Sequence, residues 1–289
     1  MLMEFLDTVL DIALDALIDT AKMLPFLFAV YILIEALEHK ASDRFSRALR
    51  KLGPFGSVGG AILGCVPQCG FSVAVSNLYS GRLVSLGTLI AVYVATSDEA
   101  IPILLSNPQS ASSVLSLIAA KFVIAVVAGL LIDGVIKLAH RKGNLSEKPY
   151  ADLCENCGCE EHGILYSAIK HTVQIFLFLL VVSFLLGAGI ELLGEERLNR
   201  VLMTDSVFQP MIAALIGLIP NCAPSVILTN LYMNGSLSFG SVVAGLSTGA
   251  GLGLVVLYRT NKRLRDNIAI TAVLYLIGAA SGMIINLFM

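Results

Sequence analysis

Two short polar segments interrupt an otherwise apolar chain, and each places a proline, an amide and a cysteine side by side. The first is Pro67-Gln68-Cys69 and the second is Pro220-Asn221-Cys222. Proline removes a backbone donor, so nearby carbonyls lose their helical partners, while amide oxygens and thiols can coordinate ions. Unwound backbone at membrane depth is tolerated only inside protein or beside a water-filled cavity. The two segments therefore predict a substrate site.

The two segments are copies of one another. A constant offset of 153 residues aligns them, and 10 of the 24 positions from Gly64 to Gly87 are identical to those from Gly217 to Gly240. Duplicated broken segments are typical of transporters built from repeats. The predicted substrate-binding side chains are Gln68, Cys69, Ser72 and Asn77 in the first copy and Asn221, Cys222, Ser225 and Asn230 in the second.

Two alternatives stay open for these side chains. Their polar groups could satisfy only one another and the interrupted helices. A buried cysteine also packs as a small apolar residue, so Cys69 and Cys222 either ligate the cargo or fill space. Cys65 has no cysteine counterpart in the second copy, which favours packing at that position.

Charged residues at membrane depth form a second candidate site. Asp98 and Glu99 lie in the apolar stretch 83–105, and Lys121 lies in the next one, 113–136. Buried charge in a membrane is costly and points to function. The short loop between the stretches would place Asp98 and Lys121 at similar depth, so the three residues are predicted to couple transport to a second ion. A purely structural ion pair is the alternative.

The second copy has no acid at the matching place. It carries the glycine-rich sequence 249–253 instead, which we attribute to close helix packing. Because pseudo-symmetry breaks where the charge lies, a single ion path is expected.

A third candidate lies in the central loop, residues 138–163. Cys154, Cys157, Cys159 and His162 fall within nine residues and could bind a soft metal or metalloid ion. The alternative is a reduced, solvated loop that binds nothing.

Composition sets the class of the chain. It has 289 residues, of which 56% are hydrophobic and 14% charged, with a mean hydropathy of +0.84. Soluble domains carry about 25% charged residues, so the apolar stretches predict an all-α polytopic membrane protein. The net charge of −2 gives no indication of nucleic-acid binding. No basic residue precedes Lys22, so a cleaved signal is not expected.

The sequence predicts two inverted repeats, residues 1–137 and 164–289. Each holds a re-entrant, Pro-broken helical hairpin (54–80 and 208–233) and three spans; 83–105, 164–193 and 238–258 are predicted as single spans. With returning hairpins, 14 Lys and Arg fall in loops on one side, against Arg197 and Arg200 on the other. The positive-inside rule then puts those loops in the cytoplasm and both termini outside.

The motifs resemble a known family. Residues 64–72, 76–79 and 95–100, together with 24–28 and the central Cys/His loop, are similar to the bacterial and archaeal ten-transmembrane heavy-metal exporters, also described as arsenic efflux proteins or manganese transporters. The resemblance covers nearly the whole chain. It implies about ten membrane helices, counting each hairpin half, and efflux of a metal or metalloid across the inner membrane.

We therefore expect a secondary-active transporter that exports arsenite, a soft metal or Mn²⁺ through a midplane site between the hairpins. The alternatives are a transporter of a small organic anion, a membrane-embedded enzyme and a metal sensor. An enzyme is not favoured, since no zinc-protease motif and no nucleophile–base pair is present. The expected partners are the ion and the lipid bilayer, with a homodimer left open. No cofactor is expected beyond a metal ion carried or bound by the Cys/His loop.

Overall fold

The computed structural model describes residues 10–14, 16–18, 20–21, 24–25, 28–29, 32, 53–68, 70–97, 99–106, 111–142, 164–193 and 207–288. Every element in these ranges is an α-helix. We number the helices α1 (Gly53–Gly64), α2 (Gly70–Ser80), α3 (Leu86–Ala95), α4 (Ala100–Ser106), α5 (Ala111–Lys142), α6 (Ile164–Leu193), α7 (Gln209–Gly217), α8 (Ala223–Met233), α9 (Phe239–Thr248), α10 (Leu252–Thr260) and α11 (Leu264–Phe288).

The chain forms two compact units. One comprises Met1–Ser42 and Cys154–Leu198, and the other comprises Asp43–Leu153 and Asn199–Met289. The smaller unit contains α6 and the helical residues between 10 and 32. The observed bounds of α6 are the predicted ones, and its stretch Thr172–Leu185 is apolar.

The larger unit contains the four helical segments of the described chain that are long and apolar enough to cross a membrane. These are Leu86–Ser106, Ser113–Leu138, Phe239–Thr260 and Leu264–Phe288. In α5 the exposed apolar side chains recur every four residues, at Val123, Val127, Leu131 and Val135. Such a stripe lies along one face of a helix and suits contact with lipid tails. The protein is therefore a multi-pass membrane protein.

The duplication seen in the sequence extends to the helices. The offset of 153 carries both ends of α2 onto α8, both ends of α3 onto α9, and the start of α5 onto the start of α11. Even the N-caps repeat: the hydroxyl of Ser85 accepts the Thr88 N–H, and the hydroxyl of Ser238 accepts the Ser241 N–H. The same short sequence pattern therefore directs the same local structure twice.

The broken segments fold as pairs of short helices, as predicted, but each following span is broken too. The stretch predicted as 83–105 divides into α3 and α4, and the stretch predicted as 238–258 divides into α9 and α10. The second break contains Gly251 at φ +53°, in a region that favours glycine. Close packing therefore explains only part of the 249–253 glycine cluster. Both predicted spans are present as stretches long and apolar enough to cross a membrane, Leu86–Ser106 and Phe239–Thr260, but the helix within each is interrupted, which was not predicted.

Contacts between helices give their relative directions in the larger unit. Gly56 packs on Thr88 and Gly64 packs on Ala95, so α1 runs parallel to α3. The connection from α2 to α3 is only five residues long, as expected for antiparallel neighbours. Since α1 and α3 run the same way, α1 and α2 form a hairpin.

Contacts across the two copies set a second pair of directions. The Ser76 hydroxyl donates to the Gly253 carbonyl over 2.8 Å, and the Ser80 and Thr260 hydroxyls lie 2.7 Å apart. Helix α2 therefore runs parallel to α10. Because α3 runs opposite to α2, it also runs opposite to α10.

One end of the larger unit carries all of its described basic side chains except Lys121, and we call it the basic end. It contains the turn 81–85, the C-terminal part of α5 and the 261–263 connection, joined by hydrogen bonds from Ser85 to Asp133 and between Ser80 and Thr260. Its described Lys and Arg side chains are Arg82, Lys137, Arg259, Lys262, Arg263 and Arg265.

The opposite end is here called the neutral end. It contains residues 106, 111–113, 207–209 and 232–241, where Tyr232 bonds to Ser113 and Gln209 bonds to Ser236. These ranges of the described chain contain no Lys, Arg, Asp or Glu.

Candidate functional site

Each hairpin tip lies beside the break in its own copy. The tip of the first hairpin begins after Gly64, which is packed so closely against Ala95 that an added Cβ would lie 2.7 Å from the Ala95 Cβ. The tip of the second begins after Gly217, which packs on Gly245 and Thr248 in the same way. Ala95 and Thr248 are the last residues before the two breaks. Tip and break are therefore neighbours in both copies.

The first tip also touches the break of the other copy. Ser72, in the first turn of α2, is in close contact with Gly253, in the first turn of α10. Helix α2 therefore begins between the two breaks. Several helix ends meet here, among them the N-termini of α2 and α10 and the C-termini of α3 and α9, so orphan backbone donors and acceptors are concentrated in this region.

A network of hydroxyl groups holds α2, α3 and α10 together near this junction. The Tyr93 hydroxyl donates to the Gly253 carbonyl over 3.1 Å and lies 2.6 Å from the Ser76 hydroxyl. Both side chains are fully buried. Tyr93 was not predicted from the sequence, although a tyrosine in an apolar span usually needs a partner for its hydroxyl.

Lys121 is fully buried and joins the first break to the second copy. Its Nζ donates to the Thr96 carbonyl, to the Ser97 hydroxyl at 2.6 Å and to the Leu246 carbonyl at 2.7 Å. Thr96 is the C-cap of α3, and Leu246 lies in the last turn of α9. The ammonium therefore caps two helix C-termini, where the orphan carbonyls and the helix dipoles favour a positive charge.

The predicted residues of the first tip are only partly described. Gln68 is half-buried, and its backbone carbonyl accepts the Phe71 N–H. Ser72 is fully buried, whereas Cys69 lies outside the described residues. Asn77 is 2% exposed, and its Nδ2 has no hydrogen-bond partner in the described part of the chain. A buried amide without a partner is costly.

In the second copy, the predicted residues on α8 are more accessible than their counterparts on α2. Asn221 and Cys222 are half-buried, and the Asn221 Oδ1 accepts the Cys222 N–H over 2.6 Å. Ser225 is also half-buried, and Asn230, the counterpart of Asn77, is exposed. Asn221 and Cys222 thus directly precede α8, Ser225 lies in its first turn, and Asn230 lies near its C-terminal end.

The predicted charge cluster is described for two of its three members. Asp98 lies outside the described residues. Lys121 bonds to Thr96 and Ser97, the two residues that precede Asp98 in the sequence. Glu99 is half-buried in the break, where its backbone carbonyl accepts the Ile103 N–H. The expected pairing of Asp98 with Lys121 stays a prediction.

The predicted metal ligands of the central loop, Cys154, Cys157, Cys159 and His162, all lie outside the described residues. Within the ranges that are described, no group of three or more His, Cys, Asp and Glu side chains is close enough to hold a metal ion.

A buried carboxylate at the basic end was also missed. Asp133 accepts the Ser57 hydroxyl at 2.9 Å, the Ser85 hydroxyl at 2.8 Å and the Gly87 N–H at 3.0 Å. It fixes the start of α3 against α1 and α5. An acid near the end of an apolar stretch could have been suspected from the sequence, because buried charge in a membrane segment points to a specific role.

No curated protein and no solved structure matches the chain significantly. The sequence profile of one family, described as "Putative, 10TM heavy-metal exporter", matches residues 4–193 and 188–289. Because these segments cover almost all of the 289 residues, the chain belongs to this ten-transmembrane heavy-metal exporter family.

Proposed function

We propose that the protein is a secondary-active exporter in the cytoplasmic membrane whose cargo, a metal or metalloid ion, binds where the two hairpin tips and the two helix breaks meet. One observation supports this most strongly: Lys121 bridges the break of one copy and the end of α9 in the other. Helix ends and buried charge at mid-membrane are features of ion and substrate sites in transporters.

The inverted arrangement of the repeats is part of the proposal. Helix α3 is the counterpart of α9, and α9 and α10 belong to one span. Because α3 and α10 run in opposite directions, this supports an inverted relation between the two copies. It is supported again by the grouping of basic side chains at one end of the larger unit, which fits a cytoplasmic location. The C-terminus would then lie outside, since Gly240, at the neutral end, packs against Asn286. We propose the same side for the N-terminus.

Among the cargoes, we favour a thiophilic metalloid such as arsenite over Mn²⁺. Cys222, half-buried at the second tip, offers the soft sulfur ligand that a thiophilic element prefers.

Coupling to a proton or a second ion is proposed for Asp98, Glu99 and Lys121. Any movement of one copy against the other must break the bonds that Lys121 makes to Thr96 or to Leu246. A protonation or ion-binding event at the adjacent acids would change the partners of the ammonium and so favour one arrangement over the other.

The test is uptake into everted membrane vesicles that carry the full chain, driven by an imposed proton gradient. Arsenite, Mn²⁺, Zn²⁺ and a dicarboxylate are compared in wild type, Cys222→Ser and Asp98→Asn. The proposal expects arsenite uptake that Cys222→Ser and Asp98→Asn both reduce. Uptake of Mn²⁺ alone would replace the cargo assignment, and uptake of none of the four would contradict the exporter proposal.

A further inference from the structure

Two helix interfaces in the larger unit are counterparts of one another. The offset of 153 carries α2 onto α8, and it carries the α4 half of the first broken span onto the α10 half of the second. The contact of α2 with α10 therefore has an equivalent in the contact of α8 with α4. In a strictly symmetric molecule the two interfaces would be equally tight.

The interface of α2 with α10 is closed along its length. Gly253 lies against Ser72, where an added Cβ would be only 2.7 Å from the Ser72 carbonyl carbon. Ser76 and Tyr93 both donate to the Gly253 carbonyl, and Ser80 lies 2.7 Å from Thr260 at the far end. The close contact of α2 with α10 therefore extends from the first tip to the basic end.

The interface of α8 with α4 is looser. The hydroxyls of Ser76 and Thr229 both bond within their own helices, to the Ser72 and Ser225 carbonyls. Among the described contacts, only Ser76 also bonds across to the neighbouring helix, at Gly253. Asn230 is exposed where its counterpart Asn77 is buried. Because an amide facing lipid would lose its hydrogen bonds at high cost, its exposure indicates water beside α8.

The two interfaces lead to opposite ends of the unit. Helix α2 ends beside the basic residues, whereas α8 ends near Ser113 at the neutral end, where Tyr232 bonds to it. We propose that the α2–α10 contact is the gate on the basic side of the transport site, that this structure holds it shut, and that transport opens it while α8 closes on α4. The proposal rests on the proposed transport function.

The first experiment uses the full chain with Ser80→Cys and Thr260→Cys, oxidised to a disulfide in membranes. The disulfide should form readily and lower arsenite uptake by about tenfold or more, because it holds the transporter in one state. Reduction of the disulfide should restore the uptake. Each single substitution is the control for pairing with a native cysteine. A disulfide that forms and leaves uptake unchanged, or one that does not form, would show that the contact is not a moving gate.

The second experiment needs no cargo, so it separates failure of the gate from failure of the transport function. Asn77→Cys and Asn230→Cys are treated with a membrane-impermeant thiol reagent from each side, and labelling of wild type is subtracted. With the Ser80–Thr260 disulfide closed, Asn230→Cys should react from the neutral side and Asn77→Cys from neither.

After reduction, Asn77→Cys should gain reactivity from the basic side. Equal reactivity of Asn77→Cys in both conditions would overturn the gate even if export is intact. If labelling of Asn77→Cys depends on the disulfide but no tested ion is taken up, the gate proposal is supported and the cargo assignment is rejected.

Discussion

The two copies of the repeat share one backbone plan but differ in chemistry at equivalent positions. Lys121 in the first copy corresponds to Leu274 in the second, and Asp133 corresponds to Asn286. Helices α2 and α8, and α3 and α9, nevertheless begin and end at equivalent residues. The comparison shows that helix bounds follow the shared pattern of caps, prolines and glycines, whereas the buried charges of the described core belong to the first copy.

The difference also changes how each break is stabilised. The first break is held by an ammonium that caps the Thr96 carbonyl, while the second is turned by Gly251 at a positive φ. The same ammonium also bonds the Leu246 carbonyl in the last turn of α9, so the first copy supplies the buried charge at both breaks. This asymmetry allows a single coupling site in a molecule with two similar halves.

The largest loss of uptake is expected when the buried charge of the first copy, Lys121, is replaced by an apolar side chain like that of the second copy. Lys121→Met keeps most of the side-chain volume but removes the donor to Thr96, Ser97 and Leu246. Arsenite uptake should fall on the order of 100-fold, which corresponds to about 2.7 kcal/mol. Leu274→Met, the matched change in the other copy, should leave uptake nearly unchanged, and equal losses in both variants would contradict the role given to Lys121.

A smaller effect is expected at the α2–α10 contact. Gly253→Ala adds a methyl group into the space held by Ser72 and should push the helices apart, at a cost of about 1–3 kcal/mol. Uptake should fall by about tenfold as the gate loses its closed state. Gly134→Ala, where nothing lies within 4 Å of the added carbon, is the control. Similar uptake by the two variants would show that the contact is not tight.

A stability effect is expected at Asp133. Asp133→Asn copies the residue of the second copy and replaces one acceptor oxygen by a donor that faces Ser57, Ser85 or Gly87. The free energy of unfolding should drop by about 1–3 kcal/mol, seen as a lower melting temperature in detergent. Asp266→Asn, which breaks only the exposed pair with Arg263, should cost less than about 1 kcal/mol. Equal melting temperatures for the two variants would show that the hydrogen bonds of Asp133 do not stabilise the fold.

The smallest effect is expected in the turn between α2 and α3. Arg82 has φ +57°, and glycine stands at the equivalent position, Gly235 with φ +72°. Arg82→Gly removes backbone strain of about 1 kcal/mol, partly offset by the greater freedom of glycine in the unfolded chain. A melting temperature equal to or slightly above wild type is expected, and a clear decrease would show that the arginine side chain stabilises the turn.

Much of the fold could be predicted from the sequence. The broken segments are marked by Pro67 and Pro220, and the 153-residue offset predicts that whatever one copy does, the other does too. The apolar length of α6 gives its bounds directly. Local signals of this kind, proline, caps and apolar run length, act within a few residues and are readable without tertiary structure.

The breaks in the two spans were not predicted, although Pro102 lies in the first turn of α4 and Gly251 lies in the second break. The first depends on Lys121, from another helix, to satisfy the Thr96 carbonyl, and the second depends on α2 approaching Gly253. The partners of Tyr93 are likewise distant in sequence. These features depend on tertiary contacts within and between the copies, which composition and spacing do not encode.

The inverted relation of the two copies is tested most directly by one pair of equivalent residues. Arg82→Cys and Gly235→Cys occupy the same position in the two hairpin-to-span turns, and each is labelled with an impermeant thiol reagent in intact cells and in everted vesicles. We expect Arg82→Cys to react above the wild-type background only in everted vesicles and Gly235→Cys only in intact cells. Reaction of both residues from the same side would contradict inverted repeats and the transport path proposed between them.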